Sequence, residues 1–146
     1  MGLETQMKEM IWFIPWQIVH FFGYCLILGS VLALTLRVLG FWKSLSFAAV
    51  HRLLMVGFLG VLMNVVSGML MMLSDSYRYV VSDILFGPKM ALIPLAAAAV
   101  LYFSVSDRVF NLKPGEAAPA SAKWIALAAL LASAGVIACG RLLPYL

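Results

Sequence analysis

The sequence predicts an all-α integral membrane protein that crosses the bilayer four times as an up-down four-helix bundle, and three observations support this prediction. Of the 146 residues, 64% are hydrophobic and only 11% are charged, whereas a soluble domain is about 45–50% apolar and about 25% charged. Four apolar segments each come close to the roughly 20 residues that a helix needs to cross a bilayer. The connections between them are short, which favours antiparallel neighbours.

The first membrane-spanning helix is predicted at about residues 16–39. Before it, Leu3–Phe13 is predicted to form a short N-terminal helix that lies at the membrane interface, and Pro15 marks the bend between the two. Trp12 and Trp16 fit an aromatic belt at that surface, because tryptophan is enriched at the boundary between lipid and water.

The other three spanning helices are predicted at about residues 47–73, 88–106 and 124–140. Pro88 suits the first turn of the third helix, and Pro94 is expected to kink that helix. The segment before the fourth helix is rich in Pro, Ala and Gly, as a linker would be. The whole chain, residues 1–146, is therefore predicted to be one transmembrane domain.

The placement of lysine and arginine predicts the orientation of the chain, because cytoplasmic loops carry an excess of both. With the N-terminus outside, the inner side holds Arg37, Lys43, Arg52, Arg108, Lys113 and Lys123, and the outer side holds Lys8, Arg78, Lys89 and Arg141. This bias predicts both termini in the periplasm, with the protein in a bacterial inner membrane. The cations occur singly and form no basic stripe interleaved with aromatics, so lipid is the expected partner and nucleic acid is not.

Polar side chains in hydrocarbon are costly and often functional, and His20 is the main candidate. Gly23 lies one turn further on, near the same helix face, and a glycine there would open a slot for a flat macrocycle. His20 is therefore a candidate axial ligand of a non-covalent haem b, since the chain has no CxxCH motif for covalent attachment. The alternative is a histidine that is hydrogen-bonded to a neighbouring helix.

The second histidine, His51, cannot share one iron with His20 within a single chain. Counted from the turn near Lys43, the two residues differ in depth by roughly 20 Å. A sixth ligand, if present, would come from Met72 or Met71, although methionine is also a common packing residue.

Lys89 is predicted at the start of the third spanning helix, where the helix dipole is already positive. A cation there requires an anion nearby. Asp75, Asp83, a lipid phosphate and a haem propionate are the candidates.

A stripe of small and polar residues follows one face of the second spanning helix, and its members are Gly57, Gly60, Asn64 and Gly68, with Ser67 beside them. Such a stripe is typical of a helix-packing seam, and it could also make room for a cofactor beside His20. The chain has no nucleophile–base triad, acidic dyad, P-loop or zinc pattern, so catalytic activity stays undecided.

The strings HFFGYCLILGSVLALTLRVLG, HRLLMVGFLGVLMNVVSGMLMM and FGPKMALIPL give the chain a resemblance to small bacterial membrane families. It resembles the membrane domain of copper-resistance protein D and, more distantly, HemJ-type protoporphyrinogen oxidase, over about residues 16–105. The shared pattern consists of His20, Arg37, Ser67 with Gly68, and Lys89. The resemblance to the HemJ type implies haem b on His20, but Met69 stands where that family has tryptophan, which argues against protoporphyrinogen oxidation.

These observations together predict a haem b-binding membrane protein or subunit that transfers electrons, with its site at His20, Gly23, Lys89 and Met72 near the outer membrane face. Two alternatives stay open. One is a cofactor-free accessory subunit of a larger membrane complex or homo-oligomer, and the other is a copper-handling membrane protein.

Overall fold

Four helices are long and apolar enough to cross a membrane. The structure, a computed structural model, describes residues 3–73 and 84–142, and these ranges consist of helices and the loops between them, with no β-strand. The candidate spans are Met10–Leu39, Phe47–Met71, Phe86–Val105 and Ala120–Leu142. They confirm the predicted all-α class and the predicted number of spanning helices, and they indicate a multi-pass membrane protein.

The helices, numbered in chain order, are α1 (Leu3–Leu39), α2 (Phe47–His51), α3 (Leu53–Met71), α4 (Phe86–Val105), α5 (Asp107–Phe110) and α6 (Ala120–Leu142). The second span consists of α2 and α3, which are interrupted at Arg52. The Ser46 hydroxyl caps α2 by accepting the Ala49 N–H at 3.3 Å. The fourth span begins at Ala120, a turn before the predicted start at residue 124.

The structure differs from the predicted division of the first segment, because α1 runs without a break from Leu3 to Leu39. Pro15 lies inside this helix, where it removes one backbone hydrogen bond, to the carbonyl of Ile11. Apolar residues continue on both sides of Pro15, so packing and lipid contact favour a continuous helix over a turn. At 37 residues, α1 is about 55 Å long, which exceeds the thickness of a bilayer core.

Helix α1 is the central element, and it packs against both α3 and α6, whereas α4 packs mainly against α6. The contacts of α1 with α3 are antiparallel in order: Trp12 Nε1 donates to the Leu70 carbonyl at 3.2 Å, and Ser30 Oγ donates to the Leu53 carbonyl at 2.9 Å. Within the described ranges, α3 and α4 make almost no contact with each other. The helix packing is therefore open between α3 and α4.

The buried apolar core lies toward the loops of residues 40–46 and 106–119, a region called here the loop side. The opposite end, where α1 begins and α6 ends, is called the terminal side. The core residues are Ala33, Leu34, Val38, Phe47, Val50, Leu54, Phe103, Val109, Leu112, Ala118, Ala122 and Ala126. Many other large apolar side chains, such as Met55 and Leu131, are exposed on the outer faces of the spans, as lipid contact requires.

Candidate functional site

The imidazole of His20 lies between α1 and α3, where it is hydrogen-bonded to Ser67. In the sequence, Ser67 stands beside the small-residue stripe of the second span. His20 Nδ1 lies 2.9 Å from Ser67 Oγ. The single hydroxyl proton of Ser67 is directed to the Met63 carbonyl, at 2.5 Å. Ser67 Oγ therefore accepts from His20, which assigns the ring proton to Nδ1 and leaves a lone pair on Nε2.

The Nε2 atom of His20 is buried and has no hydrogen-bond partner in the structure. A buried acceptor without a partner is uncommon and costs free energy, since most buried polar atoms are paired. The ring thus combines one anchored nitrogen with one unused nitrogen. This is the arrangement that a metal-ligating histidine adopts, with its other ring nitrogen bonded to a neighbouring group.

Gly23 does not open the slot that the sequence suggested, because α3 occupies the space. A Cβ atom at Gly23 would lie 2.8 Å from the Gly60 carbonyl oxygen and would also meet the Asn64 side chain. Asn64 Nδ2 donates to the His20 carbonyl at 3.1 Å and to the Gly60 carbonyl at 3.2 Å. Gly23 therefore permits close packing of α1 on α3, and its expected role as a cofactor-binding residue stays a prediction.

Met72 was expected at the level of His20, and the pairing of α1 with α3 gives its approximate position along the second span. His20 lies opposite Ser67, and Trp12 lies opposite Leu70. Met72 comes five residues after Ser67, which corresponds to about 7.5 Å along the helix direction, toward the end of the span where Trp12 meets Leu70. Its side chain is also 51% exposed, which suits contact with lipid better than ligation.

Lys89 lies beside Tyr24, at the junction of α1, α4 and α6. Its Nζ is 5.6 Å from the centroid of the Tyr24 ring. The same side chain reaches α6, because Nζ would lie 3.6 Å from a Cβ atom added at Gly140. Among the residues that the structure describes, no carboxylate forms an ion pair with Lys89, and the candidates Asp75 and Asp83 lie outside them.

The aromatic ring of Tyr24 connects Lys89 to the histidine. The His20 and Tyr24 rings meet edge to face, with centroids 4.9 Å apart. We call His20, Tyr24, Asn64, Ser67 and Lys89 the His20 cluster. Tyr24, Asn64 and Ser67 are members that a search for metal ligands alone would miss, although Tyr24 lies four residues after His20 on one helix face.

The predicted separation of the two histidines is present in the structure. His51 lies at the loop side, where its ring packs edge to face on Phe110 with centroids 5.1 Å apart. It precedes Ser67, the partner of His20, by about 24 Å along the second span. The two imidazoles therefore belong to opposite ends of the molecule, and they do not share a ligand site.

Arg37, which the sequence treated as an orientation signal, is fully buried at the loop side. Its guanidinium donates to three backbone carbonyls: Leu45 at 2.5 Å, Lys113 at 2.9 Å and Glu116 at 3.3 Å. These carbonyls belong to two different loops, so Arg37 ties the loops together. Its position at the last turn of a long apolar helix, before a short loop, is the one sequence signal from which a local role could have been predicted.

A cavity of about 340 Å³ lies among the four spans, one turn beyond His20. Its lining is almost entirely apolar and includes Ile27, Val31, Val61, Ile93, Ala97 and Val136, with Tyr24 at one end. Its two serine hydroxyls, Ser30 and Ser133, already donate to backbone carbonyls. Because α3 and α4 scarcely touch, the cavity opens between them, and we call it the α3–α4 groove.

Fold and site together define a small multi-pass helical membrane protein that has a polar cluster between its helices and an open apolar groove beside that cluster. Comparison with protein-family models, with curated proteins and with solved structures gives no match for this chain. Its function must therefore be argued from its own residues. Over the described ranges, no three His, Cys, Asp or Glu residues are grouped as a metal site would need.

Proposed function

We propose that this chain is a haem b-binding membrane protein or subunit that transfers electrons, with His20 as the axial ligand. The observation that carries the proposal is the buried, unpartnered Nε2 of His20, whose lone pair is left free by the Nδ1–Ser67 hydrogen bond. Neutral imidazole nitrogen is a common ligand of haem iron. Because the iron needs only one protein ligand, a lone histidine is sufficient.

The residues around His20 fit this role. Ser67 fixes the ring orientation and the tautomer. His20 is half-buried, and its Nε2 atom is fully buried. A bound haem b would supply one-electron redox chemistry, and the protein would tune its potential through the axial ligand and burial. The proposal assigns no sixth ligand, since the side chain of Met72 is half exposed.

We further propose that the four spans cross a bacterial inner membrane alternately, with both termini in the periplasm and the first turns of α1 at the interface. The excess of lysine and arginine around the loop side supports this orientation, because positive charge favours the cytoplasmic side. His20, near the terminal side, would then lie toward the periplasmic face. Electrons would pass between a periplasmic partner and a membrane partner.

An absorption spectrum of the purified protein, expressed with adequate haem supply, tests the proposal. We expect a Soret band that His20→Ala abolishes or reduces at least about tenfold, as loss of a first ligand should. His51→Ala is the matched control and should retain the band. Ser67→Ala should keep haem but lower its retention, because the ring loses its anchor. A wild-type protein without a Soret band, or a band unaffected by His20→Ala, would overturn the assignment.

The alternative of a cofactor-free accessory subunit is favoured by a specific observation. Asn64, Gly23 and Gly60 bring α1 and α3 into close contact, so part of the polar cluster serves helix packing. Purification in mild detergent with a fixed larger partner, and without a Soret band, would support this reading. The alternative of a copper-handling protein has less support, because the described segments hold no cluster of three His, Cys, Asp or Glu residues.

A further inference from the structure

We propose that the α3–α4 groove binds one acyl chain of an anionic phospholipid, with the lipid phosphate held by Lys89. The inference goes beyond the proposed haem site, because it concerns the groove and a different ligand, although Lys89 and Tyr24 also belong to the His20 cluster. It depends on three observations: the shape and lining of the groove, the position of Lys89 at its end, and the absence of a carboxylate partner for Lys89 among the described residues.

The groove suits a hydrocarbon chain. Along α1 it extends from Tyr24 to Val31, which corresponds to about 10 Å. The walls are aliphatic and aromatic, and the hydroxyls of Ser30 and Ser133 are already bonded to backbone carbonyls. A water-filled groove with these walls would be unfavourable within a bilayer, whereas an acyl chain entering between α3 and α4 would replace the missing helix contact.

Lys89 lies where the headgroup of such a lipid would be. It precedes Ile93, which lines the groove, by one helical turn on the same face of α4. Its Nζ packs over Tyr24, which forms the end of the groove on the terminal side. A partly buried cation requires a counter-charge, and a phosphate at the membrane surface supplies one without any protein carboxylate.

Charge complementarity therefore selects an anionic lipid over a zwitterionic one. A single lysine near the membrane surface contributes about 1 kcal/mol to binding of an anionic lipid, which corresponds to about a fivefold preference. The acyl chain of the lipid would be retained in the apolar groove whichever headgroup the lipid carries. The two parts of the site can accordingly be removed one at a time.

The experiment uses the full chain, equilibrated with vesicles of equal parts phosphatidylglycerol and phosphatidylethanolamine and then analysed by native mass spectrometry in mild detergent. The wild type should retain one lipid, with phosphatidylglycerol enriched about fivefold. Lys89→Gln should abolish the enrichment but keep lipid binding, whereas Lys123→Gln, at the other end of the molecule, should not change it. Ala97→Phe should fill the groove and reduce retention of both lipids severalfold, and Ala98→Phe, outside the lining, should not.

Equal retention of both lipids by the wild type, or an unchanged preference in Lys89→Gln, would overturn the assignment of the headgroup to Lys89. Unchanged retention in Ala97→Phe, or a dimer mass in place of a bound lipid, would overturn the assignment of the groove. Failure of the haem proposal is distinguishable, because His20→Ala should alter the absorption spectrum and leave lipid retention intact. If Lys89→Gln altered only the absorption spectrum and left the lipid preference unchanged, the anion that pairs with Lys89 would be a haem propionate.

Discussion

At the scale of single residues, Arg37 shows how a charge is accommodated without a carboxylate. Its guanidinium has five N–H donors, and the structure directs three of its nitrogens to the carbonyls of Leu45, Lys113 and Glu116. The Glu116 carboxylate is used differently, because it accepts the backbone N–H of Lys113 at 2.9 Å. The positive charge is therefore solvated by backbone dipoles of two loops, and both loops depend on it.

We predict that Arg37→Met lowers the free energy of unfolding by about 3 kcal/mol, because it leaves several buried carbonyls without a donor. The measurement is unfolding of the purified protein in mixed micelles, together with trypsin cleavage after the exposed Lys43, in the loop that Arg37 holds through Leu45. This cleavage should become faster. Arg52→Met is the control, since Arg52 is exposed and a surface change of this kind should stay within about 0.5 kcal/mol. Equal stability of both variants would contradict a structural role for Arg37.

At the scale of helices, the contact of α1 with α3 depends on missing side chains. A Cβ atom at Gly60 would lie 2.6 Å from the Gly23 carbonyl oxygen and 3.0 Å from Ile27 Cγ1. Backbone atoms cannot move aside as the end of a flexible side chain can. Gly60 therefore sets the distance between the two helices. Through that distance it also determines whether Ser67 Oγ can hydrogen-bond to His20 Nδ1.

Gly60→Ala should destabilise the protein by about 1–3 kcal/mol, because the added methyl group forces α1 and α3 apart. Gly29→Ala is the matched control: nothing lies within 4 Å of its added Cβ, so better helix propensity should stabilise α1 by about 0.5–1 kcal/mol. Unfolding in mixed micelles measures both changes. Equal effects of the two substitutions on the free energy of unfolding would show that the close contact at Gly60 does not contribute to stability.

The sequence predicted the spanning helices well, because long apolar runs leave little alternative to a helix in lipid. It also placed His20 and His51 at opposite ends by counting residues. It could not give the packing around Gly23 or the position of Met72 relative to His20, since neither the neighbour that fills a glycine's space nor the register of α1 against α3 follows from one helix alone. The role of Arg37 depends on loop carbonyls that are distant in the chain, so periodicity could not reveal it.

At the scale of the whole molecule, burial is uneven from one end to the other. The apolar core lies at the loop side, and the terminal side holds the His20 cluster. The only buried residue of α4, over its described length, is Phe103, which lies near its end at the loop side. The half of α4 that bears Lys89 is accordingly less buried than the half that bears Phe103.

The proposed orientation predicts which end of the molecule faces the periplasm. In a Cys25→Ala, Cys139→Ala background, Glu4→Cys in intact cells should react with a membrane-impermeant maleimide. Ser44→Cys, in the loop after α1, should react only after the membrane is permeabilised, because positive loops stay in the cytoplasm. Both positions are exposed, so access to the thiol is matched. The reverse labelling pattern would place the termini in the cytoplasm instead.

The arginine tie between the loops has a mechanical consequence. The loop of residues 106–119 follows α4 directly, so Arg37 anchors that end of α4 to the loop that leads into α2 and α3. A rotation of α4 against α3 must then pivot near Val105, and Lys89 lies about 24 Å away along the helix. A tilt of a few degrees about this point would displace Lys89 far more than the core residues near Val105, so any adjustment of α4 would be largest at the terminal side.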